Sequence, residues 1–88
     1  PDWTALHGAK GIVFRALEPG RFNDWHVAPR RQYLITLSGE AEIGLGDGTV
    51  YRLGPGDVNL AEDLTGRGHT TRVIGSVPRV VATIHLEG

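Results

Sequence analysis

The sequence predicts an all-β domain: a small jelly roll or barrel of about eight short antiparallel strands. Three observations point there. Gly or Pro turns punctuate the chain roughly every 8–12 residues, with β-rich runs between them. No window sustains the apolar period of a helix. Asp47-Gly48 lies between two alternating runs, and that dipeptide favours the positive φ angles of a type I′ hairpin turn.

Taken in order, Gly11–Leu17 is the first expected strand, closed by Pro19-Gly20. Arg21–Val27 is the second, broken at Pro29, where the ladder would lose a donor. Gln32–Ser38 runs to Gly39. Glu40–Leu45 alternates, with Ala41, Ile43 and Leu45 on one face and Glu40 and Glu42 on the other, and pairs across Asp47-Gly48 with Thr49–Leu53. Pro55-Gly56 turns the chain into Asp57–Ala61. A polar loop, EDLTGRG, precedes His69–Gly75, and Ser76–Pro78 turns into the last strand, Arg79–Leu86. Eight antiparallel strands close most efficiently as two sheets or a barrel, which limits open edges.

Eighty-eight residues make one domain, 1–88, with residues 1–10 as an extension and 11–86 as the barrel. A domain of this size gains much from extra burial, so a homodimer is expected. There is no Cys, which excludes disulfides and thiolate metal sites. No apolar run approaches the roughly 18 residues of a membrane span, and the first residues do not read as a signal peptide, so no membrane partner and a cytoplasmic location are expected. The chain starts at Pro1 without Met, as one with an absent or processed N-terminal piece would. A net charge of −1 gives no reason to expect nucleic acid. Eight of the nine basic residues are Arg; this matches ordinary surface composition, and also the fork that grips a carboxylate. GLGDG lies in a hairpin and precedes no helix, so it is no phosphate loop.

Side chains alternate along a strand. Gln32, Leu34, Thr36 and Ser38 share one face, and Tyr33, Ile35 and Leu37 the other. His69, Thr71 and Val73 share a face, and His26 is expected to share one with Asp24 and Phe22. A barrel that pools His26, Gln32 and His69 inside would have a polar pocket lined by Leu34, Thr36, Thr71 and Val73, the form a small-molecule ligand site takes. Arg30 stands at the strand entrance, placed to meet a ligand carboxylate. Arg31 and Tyr33 fall on the opposite face. His85 shares its face with Val81 and Thr83 and is read, with His7, as structural or exposed; Trp3 and Trp25 are read as packing residues, Trp25 on an outer face or dimer contact. A lone His in a strand is more often a surface or hydrogen-bonded core residue than a ligand.

The spacing from Gly20 resembles the first motif of the cupin family: Gly, five residues, His-x-His, three or four residues, Glu, six residues, Gly. Here the frame reads Gly20, His26, Ala28, Gln32, Gly39, with Ala28 for the second His and Gln32 for the Glu. LTGRGHTTRV resembles the end of the second motif, Pro-x-Gly-x-x-His-x-x-x-Asn, with Gly66 and His69 in place, Leu64 for the Pro and Val73 for the Asn. The preceding loop is about two residues longer than usual and carries Glu62 and Asp63, and Leu53–Val58 looks like the turn that leads into that motif. The resemblance runs from Gly11 to Leu86 and implies a cupin barrel with a degenerate metal motif. It also implies a site of three His and one carboxylate for Mn, Fe, Ni or Zn, reduced here to His26, Gln32 and His69. Loss of the anionic donor weakens that set. Asp63 or Glu62 is placed to restore a carboxylate by bending in from the loop.

Three functions fit. The first is a small-molecule enzyme of lyase or isomerase type acting on a small polar or acidic metabolite. His26, His69 and Asp63 would be its acid–base groups, and Gln32, Arg30, Glu62, Leu34, Thr36 and Thr71 its ligand contacts. The second is a non-catalytic ligand-binding or sensing module. The third is a degenerate structural cupin whose polar interior is a satisfied hydrogen-bond network. Fold alone does not choose among them.

Overall fold

The computed structural model describes residues 3–87. Its eight strands are β1 (Ala9–Leu17), β2 (Phe22–His26), β3 (Gln32–Ser38), β4 (Glu40–Gly44), β5 (Val50–Leu53), β6 (Val58–Ala61), β7 (His69–Ile74) and β8 (Arg79–Leu86). All their pairings are antiparallel. They form two four-stranded sheets, ordered β1-β8-β3-β6 and β2-β7-β4-β5, which is a jelly roll.

The turn chemistry sets these boundaries. At the β4–β5 hairpin the Leu45 amide donates to Thr49 O (2.8 Å) and the Gly48 amide to Leu45 O (3.0 Å). Positive φ falls on Gly48 alone. The connection is therefore a three-residue loop ending in a left-handed glycine, not the two-residue type I′ turn the dipeptide suggested. Asp47 Oδ1 stiffens it by accepting from the Thr49 amide at 2.8 Å. At the N-terminus, β1 begins at Ala9, so part of the expected extension is strand. His7 stacks on Tyr33 with ring centroids 5.4 Å apart. Residues 1 and 2 of that extension, Pro1 included, lie outside the described residues.

The register places the interior. β8 runs between β1 and β3, with Arg15 opposite Val81 and Leu34 opposite Thr83. The buried apolar set is small: Leu17, Ala28, Ala41, Val73, Val81, Ala82 and Leu86, joined by Thr36, Thr71, Thr83 and Arg79. Facing sheets stand about 10 Å apart. Side chains as short as Ala41, Thr71 and Val81 do not fill that gap. What remains is a cavity of about 680 Å³ between the sheets.

The facing of β2 differs from simple alternation. β2 pairs with β7 through Phe22–Arg72, Asn23–Thr71 and His26–His69, with a register shift between Asn23 and His26. The bulge resets the alternation. Asn23 and His26 both face the cavity, while Phe22 is 44% exposed with the Arg72 guanidinium 4.5 Å above its ring. Asp24 is exposed and does not line the cavity with His26.

Candidate functional site

The end of β2 and the start of β7 bring His26 and His69 opposite each other, with ring centroids 4.4 Å apart. Each imidazole is held through Nδ1. His26 Nδ1 donates to the Asp24 carbonyl at 2.7 Å. His69 Nδ1 donates to Asp63 Oδ2 at 2.5 Å. An acceptor on Nδ1 fixes the tautomer, so in the neutral ring Nε2 is the free, basic nitrogen. The long loop positions Asp63, whose own carbonyl accepts from the Ala28 amide at 3.0 Å, tying that loop to the segment after β2. Gly66 (φ +78°) and Gly68 (φ +75°) turn the same loop, and Gly68 lies directly against the His26 backbone.

His26, His69, Asp63, Gln32, Arg30, Glu62, Leu34 and Thr71 all line the cavity. Four of the residues expected to line the pocket or contact a ligand do something else. Thr36 is fully buried and stands outside the cavity wall; its Oγ1 accepts from Arg79 Nη2 at 3.1 Å. Glu62 is spent at the mouth on Arg31, Oε2 to Nε 3.1 Å. Arg30 Nη1 donates to His85 Nε2 at 3.2 Å. Val73 is packed into the core.

Arg79, Arg15, His85, Asn23 and Asn59 line the cavity as well, and sequence reasoning missed them. The signal for two of them was present. Arg79, Val81, Thr83 and His85 have the same parity on β8, so placing Val81 and Thr83 inside places the other two there. Four buried polar atoms find no protein partner among the described residues: Gln32 Oε1, Asn59 Oδ1, Arg79 Nε and Thr83 Oγ1. All four belong to residues that line this one cavity. Buried polar groups are normally bonded, so these four are free to bond what enters.

The donor set can be tested against the implied metal. No three His, Cys, Asp or Glu side chains gather into a cation site among the described residues. Asp63 is engaged by His69 and Glu62 by Arg31, so the loop restores no anionic donor. Two imidazole nitrogens and an amide oxygen remain, all neutral, and Ala28 supplies nothing. That set does not fit the three-His, one-carboxylate centre. The same cavity wall carries three arginines, Arg15, Arg30 and Arg79, beside the two engaged carboxylates.

No protein-family model matches the chain. No curated protein matches it either. Solved structures do. An uncharacterized conserved protein with a double-stranded β-helix domain from Klebsiella pneumoniae is 29% identical, with TM-score 0.66 over 91% of this chain and 70% of that one. A cupin 2 conserved barrel domain protein from Salinispora arenicola superposes with TM-score 0.71 over 100% of this chain and 71% of that one, at 17% identity. A predicted oxalate decarboxylase from Thermotoga maritima gives 0.65 over 90% and 68%, at 22% identity. The chain thus spans about two thirds to seven tenths of the length of these proteins.

Proposed function

We propose that this chain, which belongs by fold to the cupin superfamily, is a small-molecule pocket protein performing acid–base chemistry of lyase or isomerase type on a small polar or acidic metabolite. The observation that carries the reading is the Asp63–His69 hydrogen bond beside His26, at the wall of the cavity. His69 Nε2 takes a proton from the bound substrate. The Asp63 carboxylate steadies the imidazolium that forms. His26 acts in the form protonated at Nε2 and gives that proton to a neighbouring substrate atom as His69 takes one, so the total charge of the pair is unchanged. Arg30 at the entrance and the Gln32 amide orient the polar ends of the ligand.

A second reading, a binding or sensing module, is favoured by the three arginines on the wall and by Ala28, whose short side chain leaves room beside His26. The third, a structural hydrogen-bond network, draws less support, because the protein itself offers Gln32 Oε1 no partner among the described residues. The experiment is a panel of small keto acids, hydroxy acids and sugars incubated with the protein in D2O and followed by proton NMR, beside thermal melts. Deuterium exchange or product, lost in His69→Ala, supports the enzyme. A raised melting temperature with neither supports the module.

We infer a homodimer through the outer face of β1, where Ile12 and Phe14 are 53% and 65% exposed. Light scattering should give twice the chain mass of 9.5 kDa.

A further inference from the structure

Arg79 is the least ordinary charge in the molecule. It is 2% exposed. The ion pairs among the described residues are Arg31–Glu62 and His69–Asp63, and neither involves it. Its Nη2 donates to Thr36 Oγ1 and its Nε has no partner among the described residues; nor has the Thr83 hydroxyl, four residues along the same strand face. Burial first, and the charge of Arg15 second, push its pKa below the ordinary guanidinium value. Both effects disfavour the charge that Arg must carry, and an anion in the cavity relieves both. The planar fork of a guanidinium matches a carboxylate.

The walls specify the rest of the ligand. Leu17 lies opposite Arg79, and from there towards the imidazoles the cavity is lined by Val81, Val13 and Leu34, with Arg15 opposite Val81 and Thr83 between Val13 and Leu34. Gln32, at the imidazole end, and Thr36, which braces Arg79, are four residues apart on β3, roughly 13 Å at about 3.3 Å per residue.

We propose that the buried end of the cavity is a carboxylate receptor, formed by Arg79 and braced by Thr36, for an acid whose largely apolar stem runs from Leu17 past Val81 to Val13 and Leu34, where the Thr83 hydroxyl stands. This names the ligand class for the reading above, and rests on it only in taking the cavity as the ligand's place. Thr36 is a positioning residue: it turns the guanidinium and does not itself meet the ligand.

Calorimetric titration and thermal melts with butyrate, hexanoate and octanoate test this, with the matching primary amides and inorganic phosphate as controls. The carboxylates should bind and raise the melting temperature, hexanoate and octanoate more than butyrate, and the amides should not. Arg79→Met should weaken the alkanoates by about tenfold or more, and Arg79→Lys by less. Ligand-free Arg79→Met should melt above the wild type, because an unpaired buried charge has been replaced by an apolar chain. His26→Ala and His69→Ala should keep alkanoate binding whatever becomes of turnover, so failure of the acid–base reading stays separate from failure of this one. Alkanoates that do not bind the wild type, that bind Arg79→Lys no differently from it, or that bind no better than amides or phosphate overturn the proposal. So does a ligand-free Arg79→Met that melts below the wild type, which would make Arg79 a structural brace.

Discussion

Gly68→Ala isolates the contact on which the imidazole pair depends. Gly68 has φ +75°, and a Cβ built there is driven into the His26 carbonyl and to 2.8 Å from Val27 N. The left-handed backbone alone costs a non-glycine residue about 1–2 kcal/mol. Overlap with backbone adds about 1–3 kcal/mol, because neither partner is a flexible side chain that can step aside. The sum, about 2–5 kcal/mol, is a large share of a stability that at about 0.05–0.15 kcal/mol per residue comes to about 4–13 kcal/mol. At about 4–8 °C per kcal/mol for a domain of this size, the melting temperature should fall by at least about 8 °C. Gly20→Ala is the control. It shares the positive φ (+84°) but meets nothing within 4 Å, so it carries the backbone cost alone. Thermal unfolding by circular dichroism, at one protein concentration, compares the two. Gly68→Ala should melt clearly lower than Gly20→Ala. Equal melting temperatures would refute the argument that the loop is clamped onto His26.

Asp63→Asn keeps an acceptor for His69 Nδ1 but removes its charge; proton exchange in the substrate panel should drop about 10–100-fold while the melting temperature moves only a few degrees. The double variant Ala28→His, Gln32→Glu supplies the missing imidazole and carboxylate at the cavity wall, and should bind cobalt(II) at least about 100-fold tighter than the wild type, read from its visible absorption. Unchanged cobalt affinity would show that the donor count is not what limits this site. At the hairpin, hydrogen bonds from the Thr49 side chain and then its backbone hold the Asp47 carboxyl below its ordinary value of 3.8. A depressed folded-state pKa stabilises above 3.8 and loses that effect as pH falls through the lower folded value. Melts of wild type and Asp47→Ala should therefore differ at neutral pH and converge in acid; a gap that persists at the lowest pH would assign the effect to something other than this carboxylate.

Strand positions were legible because Gly and Pro mark where ladders stop, and β3 and β7 faced as alternation says they must. Alternation failed on β2, where a bulge between Asn23 and His26 takes up an extra residue that no local pattern announces. It also misdirected the hairpin, since Asp-Gly serves a three-residue loop as well as a two-residue one. In the site, motif spacing brought out His26, Gln32 and His69 together. Arg79 escaped because a charge at a strand's first residue ordinarily faces water, and its burial depends on β1 and β3 closing over it from both sides. Arg31 and Glu62 illustrate the converse: one was set aside and the other taken as a ligand contact, and the fold joins them to each other at the mouth. Pairing across 31 residues is invisible to any window along the chain.

The position of β8 bears on how the molecule is made. Ribosomal synthesis delivers Arg79–Leu86 after the other seven strands, yet this strand lies between β1 and β3 in its sheet. Until it emerges, β1 has no partner, and the row Arg79, Val81, Thr83 and His85 is missing from the cavity wall. The β4–β5 hairpin can form early from neighbouring residues, but the sheet that carries Gln32 is completed across the whole length of the domain. Folding dominated by such distant pairings is slow, in the millisecond-to-second range. The pocket is thus closed only once all eight strands are made, and a nascent chain halted before Arg79 holds both imidazoles without the wall that faces them.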